Sequence, residues 1–401
     1  MSLNVILFYI IAFLVLYSEP ISIAGVSFGI LWKIVAIFLL SLPILYEALK
    51  RKRMELFAVL YFLFAFKTLF SYSSMEYPIE TITMAVKVTM FPLLYLYFLK
   101  IRKEILLFWT KHYAFAIILI CIPYIFGFIE PLGEGYNLEI YGLDGQFGLV
   151  GPFLSPHAAS ISLAFAMIVI TLLINSKNSK SMNIFYILIL FLGFYELLLT
   201  YVRTGLVIYL MSLAYVYLQN FNMKKAFLIL LSIIVLVVGA NYILETNKAA
   251  KMRFEDRNKY VKQDGIGSGR LLYWKASVEN WLDDESIVIL IGLGETYAKE
   301  KMERSVGLYI FAHNEFFQML QQEGLIGFIL FMSSLIAVYQ YMKNYKSSQY
   351  YQSSMAIFIG MISMMMFQGG FYFNMAVFLA LYLALQKKDL EEKYLVENNA
   401  E

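Results

Sequence analysis

A chain of 401 residues that is 60% hydrophobic and only 15% charged, with a mean hydropathy of +0.67, lacks the polar surface a water-soluble fold of that length requires. The formal net charge of +3 is small, so the placement of the basic residues says more than their sum. A single cysteine, Cys121, inside an apolar run, excludes an intramolecular disulfide.

Apolar runs of roughly 17–25 residues recur from end to end, each long enough to cross about 30 Å of hydrocarbon as a helix. They are too continuous for the alternating pattern of a membrane β-barrel. The expected fold is all-α: a polytopic membrane helix bundle of about 12 transmembrane helices with one large periplasmic loop subdomain. In chain order the helices are predicted at 3–17, 21–46, 54–72, 79–98, 112–128, 156–174, 183–200, 204–220, 226–244, 322–341, 353–369 and 371–386. The first, Leu3–Tyr17, lacks a basic leader and a small-residue cleavage site, and reads as a helix that stays in the membrane. The resulting divisions are 1–244 for the first nine helices, 245–321 for the loop subdomain, 322–386 for the last three helices and 387–401 for a tail.

Lysine and arginine fall on alternate loops. One set carries Lys50–Arg53, Lys100 to Lys103, Lys177 and Lys180, Lys224 and Lys225, Lys343 and Lys346, and Lys387, Lys388 and Lys393. The short loops of the other set carry only Arg203. Basic loops stay in the cytoplasm, so both termini are expected there. Two outer segments are too long for connectors. Residues 129–155 have no Lys or Arg and carry Glu130, Glu134, Glu139 and Asp144. Residues 245–321 are polar, with apolar patches at Leu271–Trp274 and Ile287–Leu293 that suggest a packed subdomain.

Candidate chemistry gathers on the outer side. Arg203, in the tight turn Leu199–Gly205, sits at the hydrocarbon edge, where it either anchors the helix or meets an anion. Its planar guanidinium suits bidentate phosphate binding. Arg270 follows Gly265-Ile266-Gly267-Ser268-Gly269, a stretch whose amides can turn toward an anion or simply form a flexible loop before a helix. His313, in Phe311–Phe317, titrates near neutrality and is able to take a proton from a hydroxyl. His157 follows a Ser cap and Pro156, mainly as a helix start. His112 lies near a helix end and receives no role. The histidines do not cluster, so a metal site is not expected. Asp283, Asp284 and Glu285 read as a solvated turn rather than a cation site. Lys33, Lys67 and Lys87 interrupt apolar helices at about 2.5–3.5 kcal/mol each near the bilayer centre. They face either a polar cavity for a lipid diphosphate or an internal partner, with Glu196 a candidate partner for Lys67 or Lys87.

In order, Gly151–His157, Arg203-Thr204, Arg270 with Trp274, Gly292-Leu293-Gly294, His313-Asn314, and Gly324 with Gly327 resemble the O-antigen polymerase and ligase superfamily of bacterial envelope transferases. The pattern spans roughly 150–330. It departs from the usual one at Val202, where Ser often stands, and at His157, where Asn often stands. The resemblance implies a multi-pass protein of the bacterial inner membrane whose site faces the periplasm. It implies a metal-independent, inverting glycosyl transfer, with no cofactor, from an oligosaccharide on undecaprenyl diphosphate. Arg203 and Arg270 would bind the diphosphate, His313 would deprotonate the acceptor, and Asn314, His157, Lys67 and Lys87 would support the site.

The expected activity is polymerisation, moving the growing glycan to a hydroxyl of the next lipid-linked repeat. The alternatives are a ligase that attaches polymer to lipid A–core and, in another class, a flippase for the lipid-linked oligosaccharide. A transporter predicts related halves and midplane polar residues, whereas this chain concentrates polarity in one outer segment. Expected partners are membrane lipids and a polysaccharide chain-length regulator, with no nucleic acid.

Overall fold

The computed structural model describes residues 54–131, 133–137, 146–174, 178–219, 270–369 and 373–398, with a few positions in 22–28 and 241–251. The helix expected at 3–17 and most of those expected at 21–46 and 226–244 lie outside the described residues, as does the glycine stretch before Arg270; at the start of 21–46 the described residues pair as short strands, Ser22–Ile23 with Val26–Ser27, where a helix was expected. Five helices are long and apolar enough to cross a membrane: Pro78–Phe98, Lys103–Ile125, Pro156–Leu173, Lys180–Leu199 and Glu315–Asn344. Leu56–Thr68, Arg203–Leu218 and Tyr351–Phe367 are shorter apolar helices. Strand among the described residues is confined to two-residue antiparallel pairs, β1 (Ser22–Ile23) with β2 (Val26–Ser27) and β3 (Tyr136–Asn137) with β4 (Gln146–Phe147). The chain divides into two compact units, Met1–Ala36 with Leu107–Tyr260, and Ile37–Leu106 with Val261–Glu401.

The second unit contains α1 (Leu56–Thr68) and α2 (Pro78–Phe98), and its first segment, ending at Leu106, takes in the first turn of α3 (Lys103–Leu119). The short α4 (Ile122–Ile125) continues α3. In the first unit, α5 (Pro156–Leu173) packs against α6 (Lys180–Leu199) and α7 (Arg203–Leu218). Ser155 caps α5 by accepting from the Ala158 amide at 3.3 Å, and Pro156 supplies the preset φ of a first helical residue. The α5–α7 approach is close because Gly205 has no side chain: a Cβ there would run into the Ser160 hydroxyl and carbonyl.

The remaining helices belong to the second unit: α8 (Arg270–Leu282), α9 (Ser286–Ile291), α10 (Glu295–Val306), α11 (Glu315–Asn344), α12 (Tyr351–Phe367) and α13 (Phe373–Asn398). Helix α11 packs on α1 and α12, and α13 packs on α2 and α12. The core between them is aromatic. Phe57 meets Tyr95 and Tyr341 edge-on at 4.9 and 5.2 Å, and the two tyrosine hydroxyls share a 2.8 Å hydrogen bond that satisfies both. The apolar patches of the polar segment become α8 and α9, both packed on α11.

Three helices differ from the sequence expectation. The helix expected at 112–128 starts at Lys103, because Lys103 and Glu104 occupy its first turn and reach past the apolar core. His112 therefore lies more than two turns inside, its ring centroid 3.9 Å from that of Phe108, and not near the helix end. The helix expected at 322–341 begins at Glu315, since the polar residues before it are helical too. The last helix continues from Phe373 to Asn398.

Basic residues meet at one end of the second unit. Lys387 pairs with Glu55 at 2.6 Å, Lys103 with Asp389 at 2.9 Å, and Lys393 with Asp389 at 3.1 Å. Asp389 also accepts from Ser348 and from the amide and side chain of Gln349. Burial alone would push the Asp389 carboxyl up, but hydrogen bonds from Lys103, Gln349 and Lys393 outweigh it and hold the group well below the usual carboxylate range. A depressed folded-state value stabilises above the unfolded value of about 3.9 and is lost as pH falls below it. Asp389→Asn is expected to cost on the order of 3 kcal/mol at pH 7. Melting midpoints of the detergent-solubilised protein should show that gap at neutral pH and its narrowing below about pH 4.

Candidate functional site

A helix that stops inside a membrane protein leaves its last carbonyls without partners, and each must be satisfied. Helix α11 is such a case: at Gly324 the backbone takes φ 64 and ψ −173, so residues 315–323 and 325–344 are two helices end to end. Glycine is required there. The φ is left-handed, and a Cβ would stand 2.5 Å from the Gly292 nitrogen and the Leu290 oxygen. The carbonyls released by the break are taken up from two sides. Leu293 donates to the Gln321 oxygen at 3.1 Å and Gly294 to the Gln322 oxygen at 2.9 Å. The Glu323 oxygen accepts from the Lys67 ammonium.

Lys67 does more than fill that one position. Its Nζ also donates to the Ile291 oxygen at 2.7 Å, at the end of α9, and to the Glu323 carboxylate at 2.9 Å. All three N–H groups are engaged, so one buried cation caps two helix C-termini, where the helix dipoles favour positive charge. Residues 72 and 73 close the loop from the same side: Tyr72 donates to Gly292 at 2.9 Å and Ser73 to Leu293 at 3.1 Å. Of the two readings of Lys67, the structure gives internal pairing, and its partner is Glu323 rather than Glu196. Both carboxylate oxygens of Glu196 are buried with no hydrogen-bond partner among the described residues. Lys87 is half-buried on α2.

The turn that opens α11 is equally constrained. His313 has a φ of 52, in the left-handed region that a side chain with a Cβ seldom adopts. Asn314 holds it there as the N-cap: its Oδ1 accepts from the amides of Phe316 at 3.0 Å and Phe317 at 3.3 Å. Its Nδ2 donates to the Met366 oxygen at 3.2 Å, tying the turn to the end of α12. Helix α8 lies alongside. Tyr273 stacks obliquely near His313 at 6.4 Å between ring centroids, Trp274 meets Phe317 at 5.8 Å, and Ser277 donates to Gln321 Oε1 at 3.0 Å. Arg270 begins α8 one turn before Tyr273, so Arg270 and His313 stand on paired elements of one unit.

The other expected site residues belong to the first unit. Arg203 is the first residue of α7 and is exposed, following a turn in which Tyr201 takes a φ of 56. His157 is the second residue of α5 and half-buried, with its ring edge-on to Tyr136 at 6.0 Å. The acidic run has structural work: Asp284 pairs with Lys301 at 2.7 Å and Glu285 precedes α9 as its N-cap. Sequence reading missed the buried row Glu315, Gln321, Gln322 and Glu323. Its signal was a helix-period polar stretch directly before an apolar run, which reads as loop unless the helix is known to start at 315.

These helices define the chain as an all-α integral membrane protein with a polar helical layer, α8 to α10, folded against the broken helix α11. Residues 188–332 match the family model described as O-antigen ligase, Wzy_C, a match consistent with the O-antigen polymerase and ligase superfamily. The match contains Arg203, Arg270, His313 and the glycines at 292, 294, 324 and 327, whereas Lys67, Lys87 and His157 precede it. No curated protein matches the chain.

If Lys67 is the clasp of the α11 break, removing it strands the Glu323 carboxylate. Lys67→Met is expected to cost about 3–5 kcal/mol. Lys67→Met combined with Glu323→Leu should cost less than Lys67→Met alone, read as melting midpoints in detergent. A double variant as unstable as the sum of the singles would contradict the pairing.

Proposed function

We propose that this protein is a surface-polysaccharide polymerase of the bacterial inner membrane. It transfers a growing glycan from undecaprenyl diphosphate to a hydroxyl of the next lipid-linked repeat, at the periplasmic face. The observation that carries the reading is the pairing of α8 with the His313 turn inside the matched stretch. It brings a candidate base beside the helix that Arg270 opens. Arg203 completes the assignment by its chemistry and its position within the match.

In the proposed step the acceptor oxygen attacks the anomeric carbon with inversion. The new glycosidic bond forms as the bond from that carbon to the diphosphate oxygen breaks. The hydroxyl proton passes to His313, and the leaving diphosphate gains the negative charge that Arg203 and Arg270 stabilise. Asn314 acts through its cap, holding His313 in the left-handed turn. The step calls for no metal. Lys103, Lys387 and Lys393 gather at the end of the second unit where α11 finishes, whereas His313 stands where α11 begins. By the positive-inside rule this supports cytoplasmic termini and a periplasmic site. Membrane lipids surround the bundle, and a chain-length regulator is the expected protein partner.

The description of the matched family, O-antigen ligase, favours a second reading in which the acceptor is lipid A–core. Deletion separates the two: loss of a polymerase leaves single repeats on the core, whereas loss of a ligase leaves the core bare. His313→Ala is expected to lower polymer formation by about 10²–10⁴-fold with normal protein levels in the membrane. Arg203→Ala and Arg270→Ala should abolish polymer, and Lys at either position should rescue poorly because it lacks the bidentate fork. Normal polymer in all three alanine variants, measured by gel profile of the envelope glycan, would defeat the assignment.

A further inference from the structure

Helices α2 and α11 run in the same direction: Tyr95 and Tyr341, bonded to each other, each lie near the end of their helix. The start of α2 therefore stands at the same end of the second unit as the His313 turn. There the segment before α2 meets α10 through aromatic rings. Tyr297 lies 6.1 Å from Tyr72 and edge-on to Tyr77 at 5.7 Å between ring centroids. Tyr72 is 56% exposed and Tyr309 48% exposed, so these rings are open to an incoming molecule.

Carboxylates border the rings. Glu76 accepts from the Tyr297 hydroxyl and Glu80 from that of Thr296. Partial burial raises the Tyr77 hydroxyl above its usual range, and the Glu300, Glu76 and Glu80 carboxylates around it add to the effect. The cations of α10 are matched one to one: Lys299 with Glu295, Lys301 with Asp284 and Arg304 with Glu300. Glu76 and Glu80 are surplus negative charge beside the rings. Lys299 also stands 4.0 Å from the Phe311 ring centroid and 5.7 Å from that of Tyr309, which pins the approach to His313 against α10.

We propose that Tyr72, Tyr77, Tyr297 and Tyr309, bordered by Glu76 and Glu80, form a platform for an uncharged stretch of the glycan, beyond the reacting sugar. This rests on the transferase reading above, in which His313 is the base. The chemistry selects among occupants. A sugar ring presents C–H faces that stack on aromatic rings, and hydroxyls at its rim that bond to carboxylates and tyrosine hydroxyls. The surplus carboxylates repel a diphosphate, an anionic lipid headgroup or an acidic sugar. Tyrosines also gather at membrane interfaces, but six of the twelve residues of α10 are charged, so the helix that carries Tyr297 faces water. Four residues of chain reach at most about 14 Å, so an oligosaccharide laid on Tyr309 extends to His313.

The test is calorimetric binding of the repeat oligosaccharide, released from its lipid carrier, to the purified full chain in phosphatidylcholine nanodiscs. Tyr72→Ala and Tyr309→Ala should each weaken binding about three- to tenfold, with melting midpoints unchanged because both rings are exposed. Tyr72→Phe and Tyr309→Phe keep the stacking face and should bind within about twofold of the wild type. No binding to the wild type, or unchanged affinity in both alanine variants, overturns the platform. So does a loss in the phenylalanine variants equal to that in the alanine variants, which would exclude stacking. Competition by phosphatidylglycerol added to the nanodiscs would assign the rings to lipid instead and overturn it as well. His313→Ala should bind the oligosaccharide normally while losing transfer. Persistent transfer in that variant defeats the base assignment, and the affinities of the tyrosine variants still decide the platform.

Discussion

Lys67 puts one ammonium group against the carbonyl ends of two helices and the carboxylate of one of them, in a part of the molecule where water cannot do the same work. A helix broken inside a bundle is untenable unless its freed carbonyls are satisfied. Here the partners come from segments far apart in the chain: residue 67 on α1 and residues 293 and 294 after α9. The same contacts fix the polar helices α8 to α10 to the membrane helices. The break at Gly324, the loop at 292–294 and the position of α8 are consequently one structural unit, and losing the clasp should loosen all three.

Glycine and charge are coupled in that unit. A Cβ at Gly292 would collide with the backbone of residues 322 and 323, and one at Gly327 would press on the Glu323 side chain and stand 3.0 Å from the Lys67 nitrogen. The glycines at 292, 324 and 327 are thus explained by packing, since they let two backbones approach closely enough for a single lysine to bridge them. The residues with available chemistry stand one step away, on the turn that begins α11.

That turn shows how a fold holds a residue in an unfavourable backbone conformation. His313 sits in the left-handed region, and Asn314 compensates by capping α11 and bonding to the end of α12. Strain of this kind persists only where the surroundings over-determine it. The first part of α11, residues 315–323, is held at its start by the Asn314 cap, at the break by the Gly324 clasp, and along its side by α8.

Much was legible from residue order alone. Long apolar runs determined the membrane class, the helices near 79–98, 156–174 and 183–200 fall within a few residues of their expected limits, and the patches at 271–274 and 287–293 announced packed helices. These are local properties: hydrophobic length and period do not depend on which other segment lies alongside. Arg203, Arg270 and His313 stood out as candidates because an arginine or histidine beside an apolar run is unusual in itself. What only the tertiary structure decided is pairing. Nothing in the sequence says that Lys67 meets Glu323, 256 positions away, instead of Glu196, or that Gln321 and Gln322 point to different neighbours. A buried charge announces that it needs a partner, but the identity of that partner is set by which helices pack together.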